Sequence, residues 1–327
     1  MTQQNPLIIV TGAAGMIGSG VVRSLNDLRI EDLLLVDDLK SGEKWKNLLG
    51  KKFVNLISKY KLFEFLQGRQ DEIAAIIHLG ACSDTVETNA DYLLENNFHY
   101  TIKLAEWALT HNKRFIYASS ASTYGDGSLG FVDDEAMLDE LKPLNMYAFS
   151  KQLVDQWMKR QNVFDRVVGL KYFNVFGPNE YHKGKMASMV LKMLKNARDL
   201  GTIQLYKSNH PDFADGEQLR DFIYLKDAVK MTVGFLKSPH AGIFNIATGK
   251  PFSWNQLAGA LFGAMNQKTN IEYIDMPSNL SKQYQNYTCA DMKKFQTLFP
   301  SELNTLMPTE FAVKEYVQEY LVRNARW

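Results

Sequence analysis

Leu7-Ile8-Ile9-Val10-Thr11-Gly12-Ala13-Ala14-Gly15-Met16-Ile17-Gly18 decides the fold. Leu7 to Val10 is a compact apolar run, the mark of a strand buried on both faces. Gly12, Gly15 and Gly18 punctuate the turn that follows, and Val21, Val22, Leu25 and Leu28 then recur at helical spacing. Glycine in such a turn permits a tight bend, close approach of backbone N–H groups to a pyrophosphate, and close packing of helix on strand. The helix N-terminus then faces the phosphate charge. The unit predicts a dinucleotide site. A second strand, read at 32–37, ends in Asp37 and Asp38. A carboxylate there accepts hydrogen bonds from the adenosine ribose and repels a 2′-phosphate, which by itself favours NAD over NADP. Lys40 and Lys44, just beyond, offer a phosphate the opposite charge.

Outward from this unit the strand–helix alternation continues. Strands are read at 74–79, 114–119 and 167–173, and helices at 92–112 and 147–161, while 40–73 is rich in Lys and Leu and yields no clear element. Such repetition predicts an α/β chain with a Rossmann-type, doubly wound parallel sheet. Ligands of such sheets bind beyond the carboxyl ends of the strands. The polar clusters at 11–18, 37–38, 79–83, 119–124 and 174–185 all follow strands and are expected to converge on one crevice. After 178 the character changes: helical segments at 187–200, 254–265 and 309–326 alternate with short irregular pieces. Residues 1–178 are therefore read as mainly the dinucleotide-binding domain. Residues 179–327 are read as mainly a smaller C-terminal substrate-binding lobe, with a strand at 243–248 returning to the large domain.

Composition narrows the function classes. With 46% hydrophobic and 22% charged residues among 327, the chain has ample apolar side chain to bury. Lys plus Arg number 37 against 36 Asp plus Glu, so no global field draws the chain to nucleic acid or an anionic membrane. No apolar run approaches the ~18 residues of a membrane span. Met1 to Pro6 lacks the basic and apolar blocks of a signal peptide. Two cysteines, Cys82 and Cys289, make no disulfide framework, so a reduced, cytoplasmic setting is expected. His78 ends a strand without a cluster at ligand spacing, so no metal is expected.

Tyr147-Ala148-Phe149-Ser150-Lys151 sets a phenol and an ammonium one turn apart on a helix. A nearby Lys⁺ and a positive nicotinamide ring favour the phenolate, which can take a proton from a substrate hydroxyl as hydride leaves for the cofactor. Lys151 can also hold the nicotinamide ribose. Ser119-Ser120-Ala121-Ser122-Thr123-Tyr124 ends a strand, and a hydroxyl here can hydrogen-bond the reacting oxygen. Ser120, four residues before Tyr124, stands where the extended short-chain dehydrogenase/reductases, which the glycine loop resembles, carry their catalytic serine. An adjacent Asp-Glu pair, which sugar-nucleotide dehydratases use for water elimination, is missing at 120–124, which disfavours dehydration.

The G-x-x-G-x-x-G spacing belongs to the extended branch of the short-chain dehydrogenase/reductases. Leu79-Gly80-Ala81-Cys82-Ser83, Glu95-Asn96-Asn97, Lys171-Tyr172-Phe173-Asn174-Val175-Phe176-Gly177-Pro178 and above all His182-Lys183-Gly184-Lys185-Met186-Ala187-Ser188 resemble the ADP-L-glycero-D-manno-heptose 6-epimerases. The resemblance implies an isomerase that interconverts ADP-D-glycero-β-D-manno-heptose and its L-glycero form at C6, through a 6-keto intermediate reduced on its opposite face. It also implies a precursor of the lipopolysaccharide inner core as product, a tightly held NADP (in some cases NAD), and a homo-oligomer, often a pentamer. It assigns Tyr147 and Lys183 as acid–base groups on different sides of the carbon. A lysine in that role needs its pKa lowered by burial or by nearby positive charge, which His182 and Lys185 can contribute. It assigns Met16, Ile17, Lys44, Leu79 to Ser83 (Gly80, Ala81 and Cys82 included), Asn96, Val175 and Lys183 to the cofactor. Ser120, Asn174, Lys185, Lys192, Ser208, Arg220 and Tyr284 fall to the substrate, with the N-terminus of a helix at 186–200 beside its diphosphate. Leu79 stands where the family often has Glu, and Asp38 where it usually has Asn. The stretch 209–219 is a few residues longer than the family pattern. Two other readings remain at this stage: another epimerase of the branch, such as a UDP-sugar 4-epimerase, and a non-catalytic dinucleotide-binding protein.

Overall fold

Strand β1 (Leu7–Thr11) is buried along its whole length because its alternate side chains enter two different cores. Ile8 and Val10 pack with Val21, Val22 and Leu25 on one face, and Leu7 and Ile9 pack with Leu62, Leu104 and Ala108 on the other. An uninterrupted apolar run is what a strand covered by helices on both faces requires. In this computed structural model, which describes residues 5–281 and 284–327, β1 lies near the middle of a seven-stranded sheet. The first four residues of the Met1 to Pro6 stretch lie outside the described residues. The other members are β2 (Leu33–Val36), β3 (Asn55–Ile57), β4 (Ile73–His78), β5 (Arg114–Ser120), β6 (Val167–Tyr172) and a late strand, Gly242–Ile246. Their order is Gly242–Ile246, β6, β5, β4, β1, β2, β3, and every pairing is parallel. The doubly wound, Rossmann-type sheet is therefore the fold.

Two further sheets build the region beyond. β7 (Asn174–Phe176), β9 (Leu219–Tyr224) and β11 (Pro251–Ser253) form one, ordered β11-β9-β7. β8 (Ile203–Tyr206) and β12 (Ile271–Ile274) form the other, and the late strand of the main sheet is β10. The helices Met189–Leu200 and Trp254–Ala264 and the C-terminal segment close a third core through Val190, Met193, Leu257, Leu261, Val313 and Tyr316. Ser253 and Gln256 form a reciprocal capping box at the start of the second of these helices.

Local readings shift in three places. Residues 40–73 hold only short pieces, including the single turn Lys44–Leu48, the three-residue β3 and the turn Leu62–Phe65, each too brief for a periodic signal. The stretch read as one helix at 92–112 runs 90–110 with a wider, π-type turn at Leu94–His99. The helix read from 186 begins at Met189, with Ser188 as its N-cap.

Candidate active site

The carboxyl ends of the parallel strands open into a cleft of about 810 Å³. Its walls are Gly12, Gly15, Met16, Ile17 and Gly18 after β1, Asp37, Asp38 and Lys44 after β2, and Leu79, Gly80, Ala81, Cys82 and Ser83 after β4. Ser120, Asn96, Tyr147, Lys151, Asn174, Val175, His182 and Lys183 complete it. The glycine loop is shaped for close approach. Gly12 has φ +66°, and a Cβ there would stand 2.7 Å from the Gly80 nitrogen, so a side chain would push the two loops apart. The backbone cradle is what a dinucleotide phosphate needs.

Asp37 is less available than its position suggests. Its carboxylate accepts from the Ala14 N–H at 2.8 Å, from the Asp38 N–H at 2.7 Å, and from Lys44 Nζ at 2.6 Å. It braces the glycine loop and its charge is met by Lys44, so Asp38 is the other carboxylate on this wall, with Lys40 and Lys59 as further cations.

Tyr147 and Lys151 lie on the helix Met146–Arg160, whose start is fixed by Asn145 accepting from the Ala148 N–H at 2.8 Å. Lys151 Nζ donates to the Ala118 carbonyl at 2.8 Å. Burial pulls its pKa down to about 8, against the pull of Asp155. The Tyr147 phenol is raised by burial, and a hydrogen bond with Ser120 brings it partly back. Ser120 Oγ is 2.7 Å from Ser122 Oγ. A serine, a phenol and an ammonium thus share one wall, where protons can be exchanged between neighbours.

Lys183 reaches the cleft from another segment, Tyr181–Met186, with Nζ 3.9 Å from Met16 Sδ. Burial lowers its pKa, Glu180 opposes this and Lys192 adds to it. His182 is driven down to about 4, mainly by burial, so at neutral pH it carries no charge. Of the two expected means of lowering the Lys183 pKa, burial is the larger, and the added positive charge comes from Lys192 rather than from His182 or Lys185. Both ends of this segment are held by Glu180, which is fully buried. Its carboxylate accepts from the Ser188 N–H and hydroxyl, each at 2.5 Å, and from the Tyr316 hydroxyl at 2.8 Å. The N-cap of the helix expected to face a diphosphate is therefore turned toward a carboxylate of the chain itself.

The substrate-side residues divide. Ser120 and Asn174 line the cleft, whereas Lys185, Lys192, Ser208, Arg220 and Tyr284 stand outside its lining. Lys185 and Lys192 are exposed. Ser208 is drawn into the longer loop, with its N–H given to Asp215 at 2.7 Å and its hydroxyl to the His210 carbonyl at 2.9 Å. Arg220 is buried between the rings of Trp254 and Tyr284, 5.5 and 5.0 Å from their centroids, and Trp254 itself lines the cleft. Its Nη1 donates to the Leu219 carbonyl at 2.9 Å, and among the described residues no carboxylate lies within 4.0 Å of it. Burial lowers its pKa. A stacked, desolvated guanidinium without an acid partner suits an incoming anion.

Several residues in or under the cleft are given no role by the sequence alone. Asn97 is fully buried and clasps the Cys82 backbone through both amide atoms, at 2.8 and 3.0 Å, while donating to Ser150 Oγ at 3.0 Å. It fixes the loop after β4 to the Tyr147 helix; in the sequence it stands out only as part of Glu95-Asn96-Asn97, with no role of its own. Lys59 donates to Asn96 Oδ1 at 2.5 Å. Gln285 lines the cleft and donates to the Gly125 carbonyl, a pairing across the chain that no local pattern announces. His78 lies in a closed chain of bonds: Gly80 N–H to Thr11 Oγ1, Thr11 to Nδ1 at 2.6 Å, Nε2 to Thr101 at 2.9 Å, and Thr101 to the Asn97 carbonyl. Because Thr101 spends its hydrogen on that carbonyl, the imidazole proton sits on Nε2. Burial holds its pKa at about 3, so His78 is a neutral strut.

Fold and cleft define a dinucleotide-binding enzyme of the doubly wound class. The NAD dependent epimerase/dehydratase family matches residues 8–247. The chain is 47% identical over 319 residues to the ADP-L-glycero-D-manno-heptose-6-epimerase of Nitratidesulfovibrio vulgaris (strain DP4), covering 96% of this chain and 98% of that protein. It is 44% identical to the enzyme of that name from Fusobacterium nucleatum, over 97% of this chain and 98% of the other. The crystal structure of the Helicobacter pylori ADP-L-glycero-D-manno-heptose-6-epimerase superposes with a TM-score of 0.79 at 27% identity, covering 96% of each chain. The chain belongs to the NAD dependent epimerase/dehydratase family, in its branch of ADP-L-glycero-D-manno-heptose-6-epimerases. It is an epimerase whose cofactor is a nicotinamide dinucleotide. Among the described residues no helix is long and apolar enough to cross a membrane, and no three His, Cys, Asp or Glu side chains gather as a metal site.

Proposed function

We propose that this chain inverts C6 of ADP-D-glycero-β-D-manno-heptose to give the L-glycero epimer, using NADP, with Tyr147 and Lys183 as the two acid–base groups. The reading rests most on one observation: a phenol paired with Lys151 and a second, partly desolvated amine, Lys183, reach the same cleft from separate segments. When bound, the nicotinamide accepts a hydride from the sugar carbon and returns it. The glycine loop, Asp37 to Lys44 and the loop after β4 would hold the dinucleotide, and Lys151 its nicotinamide ribose. On one side, Tyr147 takes the proton of the C6 hydroxyl, with Ser120 hydrogen-bonded to the same oxygen. The ketone then turns its other face, and Lys183 supplies the proton to the oxygen as the new centre forms. Asn174 orients the sugar. Arg220 takes the diphosphate in its planar fork, with Tyr284 and Trp254 supporting it. The part of Lys185, Lys192 and Ser208 is to shape the outer mouth. NADP is favoured by the ion pair that neutralises Asp37 and by Lys40 and Lys59 on the same wall.

Incubation with ADP-D-glycero-β-D-manno-heptose, followed by proton NMR, is expected to show the L-glycero epimer, with UDP-galactose and UDP-glucose unchanged. In D2O the product C6 is expected to carry no deuterium, because the hydride never leaves the enzyme. Turnover of a UDP-sugar alone would favour the 4-epimerase reading. Mass spectrometry of nucleotide released on denaturation distinguishes NADP from NAD. Gel filtration with light scattering tests the homo-oligomer, expected to be a pentamer.

A further inference from the structure

A buried ion pair lies beneath the cleft floor. Asp155 and Lys171 side chains are each 1% exposed, with Nζ 2.8 Å from Oδ2. Desolvating two charges is costly unless the pair and its remaining hydrogen bonds are well made, so their connections are informative. Asp155 lies one turn beyond Lys151 and two beyond Tyr147 on the helix Met146–Arg160. Its carboxylate accepts from the Tyr117 hydroxyl at 2.9 Å and from Ser119 Oγ at 2.7 Å. Lys171 also donates to Thr123 Oγ1 at 2.5 Å, and the Thr123 hydroxyl donates to the Ser120 carbonyl at 2.8 Å. The pair thus grips the strand end on both sides of Ser120, through Ser119 and through Thr123. It ties that strand to the helix carrying the phenol and the ammonium.

We propose that Asp155, paired with Lys171, is a positioning residue for the Tyr147–Lys151–Ser120 centre, setting the register of helix against strand. The proposal rests on the reading of that centre as the acid–base apparatus. The groups facing Lys151 are Asp155 from its own helix, the Cys82 thiol from the loop after β4, and the neutral His78 from β4. Asp155 supplies the carboxylate charge among them. A retained Lys151 charge in turn favours the Tyr147 phenolate.

Asp155→Asn alone strands a buried ammonium, so the decisive variant is Asp155→Asn with Lys171→Met, in which the pair is replaced by neutral groups. It is made as the full chain with its own bound nucleotide. The expected result is a melting temperature near that of the wild type, kcat down at least about tenfold, and the alkaline limb of kcat moved to lower pH, by less than the loss of a lone opposite charge because the Lys171 charge is removed with it. A folded double variant with wild-type kcat and an unmoved pH profile would overturn the proposal. A second variant, Ser119→Ala with Thr123→Val, cuts both ties to the Ser120 flank and leaves the pair intact. It is expected to lower kcat without moving the pH profile, and full activity there would overturn the register role. Titration of Lys151 Nζ by 15N-lysine NMR needs no substrate. If the wild type fails to convert the ADP-heptose, the functional reading falls, while a lower Lys151 midpoint in the double variant still decides the positioning role.

Discussion

The two halves of the cleft are built by different means. On the dinucleotide side, most walls are short stretches directly after a parallel strand, so each can be read from its own strand. On the other side, the walls come from Phe222 of β9, Trp254 just after β11, Gln285 and Thr288, and residues from His182 to Val190, stretches far apart in the chain that the third core helps to join. Every residue read as a cofactor contact lines the cleft, whereas Arg220 and Tyr284 stand behind Trp254 and Ser208 is folded into its own loop. Local order makes one half readable along the chain, and long-range assembly hides the other.

The sharpest way to break this contrast is at Tyr147. Tyr147→Phe removes one oxygen from the readable half. Turnover is expected to fall by about 10²- to 10⁴-fold, the usual range for a lost general acid–base group, with bound nucleotide retained. The check is single-turnover NMR beside the absorbance of released cofactor. Full turnover would remove the phenol from the reaction.

A smaller effect probes the other half. Arg220→Lys keeps the charge but loses the planar fork and the double stacking on Trp254 and Tyr284. KM for the sugar nucleotide is expected to rise about tenfold, the equivalent of one charge-assisted hydrogen bond, with kcat and nucleotide content unchanged. If nucleotide content falls instead, the two halves are not separable as described.

Legibility followed the same line. The β1 run, the glycine turn and the two-faced burial of the parallel strands are local signals, and the doubly wound sheet followed from them. The resemblance carried by 182–188 pointed to Lys183, but not to what tunes it: His182 is neutral, and Lys192 acts from a helix further on. Ser208 stands outside the cleft lining because Asp215, seven residues away, captures its N–H across a loop of unusual length. Glu180 and Asn97 were passed over because their partners, Tyr316 and Ser150, are distant in sequence. Asp155 did have a signal, its place on the Tyr147 helix face, yet its meaning depends on Lys171, which only the sheet brings near.

The smallest expected effect lies at Asp38, where a local reading and the three-dimensional one disagree. Read along the chain, two carboxylates after β2 repel a 2′-phosphate. In space, Asp37 is bound to Lys44 and to the Ala14 N–H, so Asp38 is left as the charge opposing NADP, with Lys40 and Lys59 lining the same wall. Asp38→Asn is therefore expected to raise NADP affinity a few-fold, roughly 0.5–1 kcal/mol for one exposed charge interaction, with NAD affinity little changed. Fluorescence titration of nucleotide-stripped protein checks this at low and high salt. The gain should shrink as ionic strength rises, because this charge is partly open to solvent. An equal gain for both nucleotides would mean that Asp38 acts on the ribose or the loop rather than on the phosphate. Asp37 would then be the carboxylate that matters despite its ion pair.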